Sequence, residues 1–213
     1  MSKTTSDGDK TSRTRSRPSR RGAICEAALD LAAAGGNHAV THYGIDDHLG
    51  IARGSTSYYY RTRQALLTAA IIHLTSLSRQ AFHDAFDTGD TAPDIDWATD
   101  LTATQLELLL GPRRRDALAR YALATGTIDD DELREALASC LFSAPGAQAL
   151  MTALGAPDPS CAAGNFISLL EGLLFDRLHG SRSMSGIVAG SEASISDLRQ
   201  PIRLWLTALQ RGI

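Results

Sequence analysis

The residues of this chain best suited to chemistry lie in one short block, VTHYGIDDHLGIARGSTSYYYRTRQALL, at positions 40–67. Within it Arg53-Gly54-Ser55-Thr56-Ser57 is small and polar, with no aliphatic stripe, and Tyr58-Tyr59-Tyr60 then add three amphipathic rings. One arginine, several hydroxyls and little bulk make a surface that can enter a major groove. There Arg53 can bond guanine edges, while Ser55, Thr56 and Ser57 reach bases or phosphates. Arg61 and Arg63 stand where they can hold the phosphate backbone. A plain polar corner between two helices would not need this composition, so double-stranded DNA is the expected partner.

Such residues need elements to present them. A short helix is expected over about 42–49, capped by Thr41 and closed by Gly50, which suits a tight positive-φ corner. Ile45 and Leu49, four apart, give it one apolar face, and a second helix from about Arg53 to Tyr60 crosses that face as a helix-turn-helix. Upstream, Ile24, Ala27, Ala28, Leu31 and Ala32 recur at helical steps until Gly35-Gly36. Downstream, a long helix from about Gln64 carries Leu66, Leu67, Ala70, Ile71, Leu74 and Leu77. Further helices are expected near 95–110, 113–125, 130–143, 146–154, 160–179 and 197–211. Asp129-Asp130-Asp131-Glu132 suit the start of the third of these. The Gly/Ser-rich stretch GSRSMSGIVAGSEAS is a loop before the last one. No segment alternates as a strand would, so the fold class is all-α.

Charge is distributed unevenly beneath a net −3. Residues 1–21 carry seven Lys/Arg against Asp7 and Asp9, whereas residues 80–213 carry ten basic and eighteen acidic residues. Only the front of the chain invites a polyanion. Residues 1–19 lack any large apolar residue beyond Met1, so a disordered basic arm is expected there. Whether that arm touches DNA stays open.

Other chemistries find little support. At 43% apolar and 21% charged the chain can bury a core. Cys25, Cys140 and Cys161 have no paired spacing and read as reduced thiols. No apolar run reaches membrane length and none follows the basic start, so neither a span nor a secretory signal is expected, and the location is cytoplasmic. His38, His42 and His48 lie close together, but a helix start separates the first two and no third ligand is obvious. Asp129-Asp130-Asp131 lacks the spacing of a calcium loop. With no phosphate-binding Gly loop and no Gly-x-Ser-x-Gly, no enzyme, metal or cofactor is expected.

The leading helix, the Thr41-led helix ending in Leu49-Gly50, and then Gly54, Tyr58-Tyr59, Arg63 and Leu66-Leu67 resemble the TetR family of bacterial transcriptional regulators. The match covers about residues 20–67. The Gly-Ser-Thr-Ser and Arg-Thr-Arg flanks are similar to an actinobacterial branch, which nineteen Arg against two Lys would suit. The resemblance implies a homodimeric repressor released by a small apolar or aromatic effector. A regulator independent of ligand, or governed by a protein partner, is the alternative. Behind the basic arm at 1–19 it also implies a DNA-binding domain over 20–67 and an effector-binding and dimerisation domain over 68–213.

Carried over residue by residue, Thr41 would bond a phosphate, Arg53 and Gly54 would contact bases, and Arg63 would contact a phosphate. Tyr58 aligns with the second tyrosine of the family motif, and His42 is expected to face DNA or the long connecting helix. This chain departs from the family at Asp46, Ala52, Ser57, Tyr59 and Tyr60, where Ala, Ser, Tyr, His and Phe are usual. Trp97, Tyr121, Phe142, Asn165 and Phe166 are the expected pocket lining. Two apolar stripes, with Leu169 and Leu173 on one and Leu198, Ile202, Trp205 and Leu209 on the other, are the expected dimer interface, although they could also complete a protomer core. Pro201 would kink the last helix or mark its first turn.

Overall fold

Polar caps decide where the helices begin. The computed structural model describes residues 19–85, 93–127 and 130–212. The arm expected over residues 1–19 therefore lies, apart from Ser19, outside the described residues, as does Asp129. Ser19 Oγ accepts from the Gly22 amide at 3.1 Å and opens α1 (Arg20–Gly35). Thr41 Oγ1 accepts from Gly44 at 2.9 Å and opens α2 (His42–Leu49), which Gly50 closes at φ 61°. Next come α3 (Ser55–Tyr59), α4 (Arg63–Ala85), α5 (Ile95–Leu110) and α6 (Arg114–Ala124). They are followed by α7 (Asp131–Ala138), α8 (Ala144–Ala153), α9 (Pro159–Leu178) and α10 (Glu192–Arg211). Asp94, Asp130, Ser143, Asp158 and Ser191 cap α5, α7, α8, α9 and α10 in the same way. The described residues form helices and turns only, so the all-α expectation holds.

Three boundaries differ from the sequence reading. The third helix starts at Ser55, because Arg53 and Gly54 form a turn. The helix expected to run to 143 stops at Ala138, ahead of the turn that leads to the Ser143 cap. The last helix starts five residues early, since Ser191 Oγ accepts from Ser194 at 3.1 Å. Pro201 consequently sits inside α10 and does not mark its first turn.

Helix α1 is the shared wall, packed on α2 and α4 at the front and on α6 behind. Arg115 of α6 reaches Glu26 at 2.7 Å and Asp30 at 3.1 Å on α1, and His73 of α4 lies 2.6 Å from Glu26. Behind this junction α5 packs on α6, α9 and α10, and α8 on α9. Leu198, Ile202 and Leu209 are buried in this rear core, with α10 laid along α5. That corrects their assignment to a dimer interface, because burial within one protomer leaves nothing to offer a second.

Candidate nucleic-acid interface and effector cavity

A helix as short as α3, of five residues, does not persist on its own, since nucleation is unfavourable. Asp46 of α2 holds it. The carboxylate, fully buried, accepts from Gly54 N at 2.7 Å, Thr56 N at 2.9 Å and Thr56 Oγ1 at 2.7 Å. It thus supplies, from the neighbouring helix, the cap that Gly54 lacks. Burial opposes its ionisation, but the bonds from Thr56 and Gly54 outweigh this and hold its carboxyl below the usual range. The sequence shows Asp46 only as a departure from a small residue, and this cap is what that reading missed. The same bonds correct the reading of Thr56, whose buried hydroxyl is directed at Asp46 and cannot reach DNA.

Around this clamp the outward face carries most of the expected contacts. Thr41, Arg53, Gly54, Ser57 and Tyr58 are exposed, Tyr58 by 83%, while Ser55 is half-buried and its hydroxyl donates to Ala52 O at 2.5 Å. The Arg53 guanidinium lies 5.6 Å from the centre of the exposed Tyr43 ring and 3.9 Å from Asp47, contacts the sequence did not suggest. Tyr59 is half-buried, edge-on to Tyr58 at 5.3 Å and beneath Arg21 at 5.9 Å. Arg63 donates to Asn37 O at 2.7 Å, Asn37 Oδ1 at 2.6 Å and Val40 O at 3.2 Å, all uncharged acceptors, so its charge is left for an outside partner. His42 Nε2 bonds the Tyr60 carbonyl at 2.7 Å and so ties α2 to the approach to α4. That nitrogen is directed at protein, not at a groove.

The rear helices enclose a cavity of about 620 Å³ between α4, α5, α8 and α9. Trp97, Phe142 and Phe166 line it, as the sequence suggested. Tyr121 and Asn165 do not, and both are corrections. The Tyr121 hydroxyl donates to Glu171 at 2.8 Å and its ring stacks edge-on to Phe175 at 5.4 Å. Asn165 is exposed beside Cys161. Cys140 belongs to the cavity wall, where burial pushes its thiol up to about 12, so it stays a neutral, unreactive group.

Helices α9 and α10 pack together, and each leaves apolar side chains partly uncovered. Leu169 and Leu173 are half-buried there, and Trp205 is 41% and Leu204 69% exposed. Phe175 is also exposed, and a Cβ added at Gly164 or Gly172 would meet nothing. The sequence stripes missed Leu204 because the burial of Leu198, Ile202 and Leu209 turns the exposed face of α10 toward Leu204 and Trp205. Among the described residues no helix is long and apolar enough to cross a membrane, and no His, Cys, Asp and Glu cluster has metal-binding geometry.

Residues 93–208 match the model of the tetracyclin repressor-like C-terminal domain. In structure the chain is similar to a transcriptional regulator from Rhodococcus sp. Rha1, with a TM-score of 0.72 at 18% identity over 91% of this chain and 97% of that one. It is also similar to a Saccharomonospora viridis regulator in complex with choline, with a TM-score of 0.67 at 19% identity over 88% and 95%. The multidrug binding protein EbrR complexed with malachite green gives a TM-score of 0.62 at 23% identity over 90% and 98%. At these identities the likeness is one of fold. A search of curated proteins returned no match.

Proposed function

Because the chain belongs to the tetracyclin repressor-like (TetR) family of transcriptional regulators, we propose that it represses transcription as a homodimer on palindromic DNA, and that a small effector releases it. Residues 20–67 form the DNA-binding part and residues 68–213 the effector-binding and dimerisation part. The observation that carries this reading is the Asp46 clamp, which fixes α3 with Arg53, Gly54, Ser57 and Tyr58 facing outward. Thr41 and Arg63 flank that face and would contact phosphates. The apolar outer face of α9 and α10, around Leu169, Leu173 and Trp205, would pair with its copy. Two readers then enter successive major grooves about 34–36 Å apart.

The cavity and the reader share one helix. Thr75, Ser78 and Arg79 of α4 line the cavity, while Arg63 at the start of α4 holds the turn that leads into Thr41. An effector that binds the DNA-incompetent arrangement more tightly shifts α4 and with it the spacing of the two readers. The complexes of the similarly folded proteins with choline and malachite green support a small-molecule effector. Working on chromosomal DNA, the protein acts in the cytoplasm and catalyses no reaction.

Selection of bound duplexes from a random pool tests this reading. A palindrome with half-sites one helical turn apart, protected by two protomers, is expected. Recovery of unrelated sequences at every round would overturn it.

A further inference from the structure

The cavity walls are mostly apolar, and the formal charge on their described residues is of one sign. Among the described lining residues Arg79 of α4 carries the only formal charge, and no Asp or Glu is present. The hydroxyls of the wall are largely committed to the protein. Thr75 Oγ1 donates to Ile71 O at 2.9 Å, Thr102 Oγ1 to Ala98 O at 2.7 Å and Ser139 Oγ to Ala136 O at 3.3 Å. Ser78 Oγ is held by Arg113 at 2.8 Å. Two groups remain. Neither the Arg79 guanidinium nor the Gln105 carboxamide on α5 has a side-chain partner among the described residues.

Building on the reading of this cavity as the effector site, we propose that it takes an amphiphilic carboxylate. The apolar or aromatic body lies against Trp97, Phe142 and Phe166, and the carboxylate is bonded by Arg79, with Gln105 donating from the facing helix. The planar guanidinium fork matches a carboxylate with two parallel hydrogen bonds. A cationic ligand of the same shape brings a second positive charge beside Arg79 and finds no lining carboxylate to offset it. A neutral ligand leaves the Arg79 guanidinium, exposed at the cavity edge, to water and gains no charge-assisted bond from it. One carboxylate bonded from both sides also fixes the separation of α4 from α5, and α4 is the helix that leads to the reader.

Calorimetry on the full chain tests the ligand class with two head-group series on fixed bodies. These are 4-phenylbutyrate, 4-phenylbutanol and 4-phenylbutylamine, and decanoate, decanol and decylamine, all below micelle-forming concentrations. In at least one series the carboxylate should bind at least about tenfold tighter than its alcohol and amine, the size of one charge-assisted bond. Arg79→Gln should erase that preference by weakening the carboxylate at least about tenfold, toward the affinity of its alcohol. Equal binding of carboxylate and alcohol, a preference that survives Arg79→Gln, or binding by neither carboxylate overturns the assignment. If a carboxylate binds with an Arg79-dependent preference and DNA stays bound, the ligand class stands and the release mechanism falls.

Discussion

Asp46 and Thr56 are joined twice across the helix-turn-helix, Oδ1 accepting from the Thr56 amide at 2.9 Å and from its hydroxyl at 2.7 Å. A buried carboxylate on the first helix thus does for the second what an N-cap residue does within a chain segment. It ties the orientation of α3 to that of α2, so the exposed face of α3 is fixed by a fully buried residue.

Removing this clamp should cost more than an ordinary cap. Asp46→Ala loses the cap and leaves a buried hydroxyl and two amides unpaired, so a loss of about 2–3 kcal/mol is expected. Denaturant unfolding measures it, and DNA affinity should fall further than the fraction of folded protein. A variant as stable as wild type would show that α3 is held by something else.

Arg53 and Arg63 should fail differently. Arg53→Ala should reduce preference for the operator by roughly 1–3 kcal/mol, the discrimination carried by one bidentate Arg–guanine pair. Arg63→Ala removes a charge and the bonds that brace Asn37 and Val40, so it should weaken operator and random DNA alike. Competition titrations with both duplexes separate the two effects. Equal losses of specific and non-specific binding in both variants would contradict these roles.

Acid should destabilise the fold through two carboxylates. Burial opposes the charged form of Glu26, but bonds from His73 and Arg115 outweigh it and hold its carboxyl below the usual range, as the Thr56 and Gly54 bonds do for Asp46. Depressed folded values mean that the stabilisation is complete above the ordinary carboxylate range, and it is lost as pH falls through the folded values. Thermal midpoints should therefore hold near neutrality and drop below about pH 4. Glu26→Gln should be less stable at pH 7 and lose less on acidification. An identical pH profile in that variant would remove the junction from the explanation.

Charge on α10 should distinguish core from interface. Leu198 is fully buried in the protomer, so Leu198→Asp should fail to fold. Trp205→Asp and Leu173→Asp lie on the outer face and should give folded monomers that no longer hold the operator. Sedimentation with circular dichroism reads both outcomes. A wild type that is monomeric at micromolar concentration would sink the paired model.

Local signals made most of the framework legible. Thr41 and Gly50 bracket α2 where expected, because capping and positive φ are properties of single residues. The face of a helix was harder to assign. Leu198, Ile202 and Leu209 follow the same spacing as Trp205, and only the packing of α10 on α5 shows which members are covered. Asp46 shows the same limit from the other side: its partners are eight and ten residues away, and no periodic pattern marks a cap supplied by a neighbouring helix. Tyr121 and Asn165 were placed in the cavity by residue type, yet Tyr121 pairs with Glu171 and Asn165 faces outward. Trp97, Phe142 and Phe166 do line the cavity, but Phe175 and Trp205 are exposed, so residue type alone does not place an aromatic ring.

The central claim is that α3 reads sequence. Its most direct measurement is the ratio of affinities for the selected palindrome and for a scrambled duplex of equal length, at physiological salt. A ratio of about 10³ or more is expected, as for proteins that read base edges. A ratio near one, with both affinities falling together as salt rises, would mean that the protein binds only the phosphate backbone.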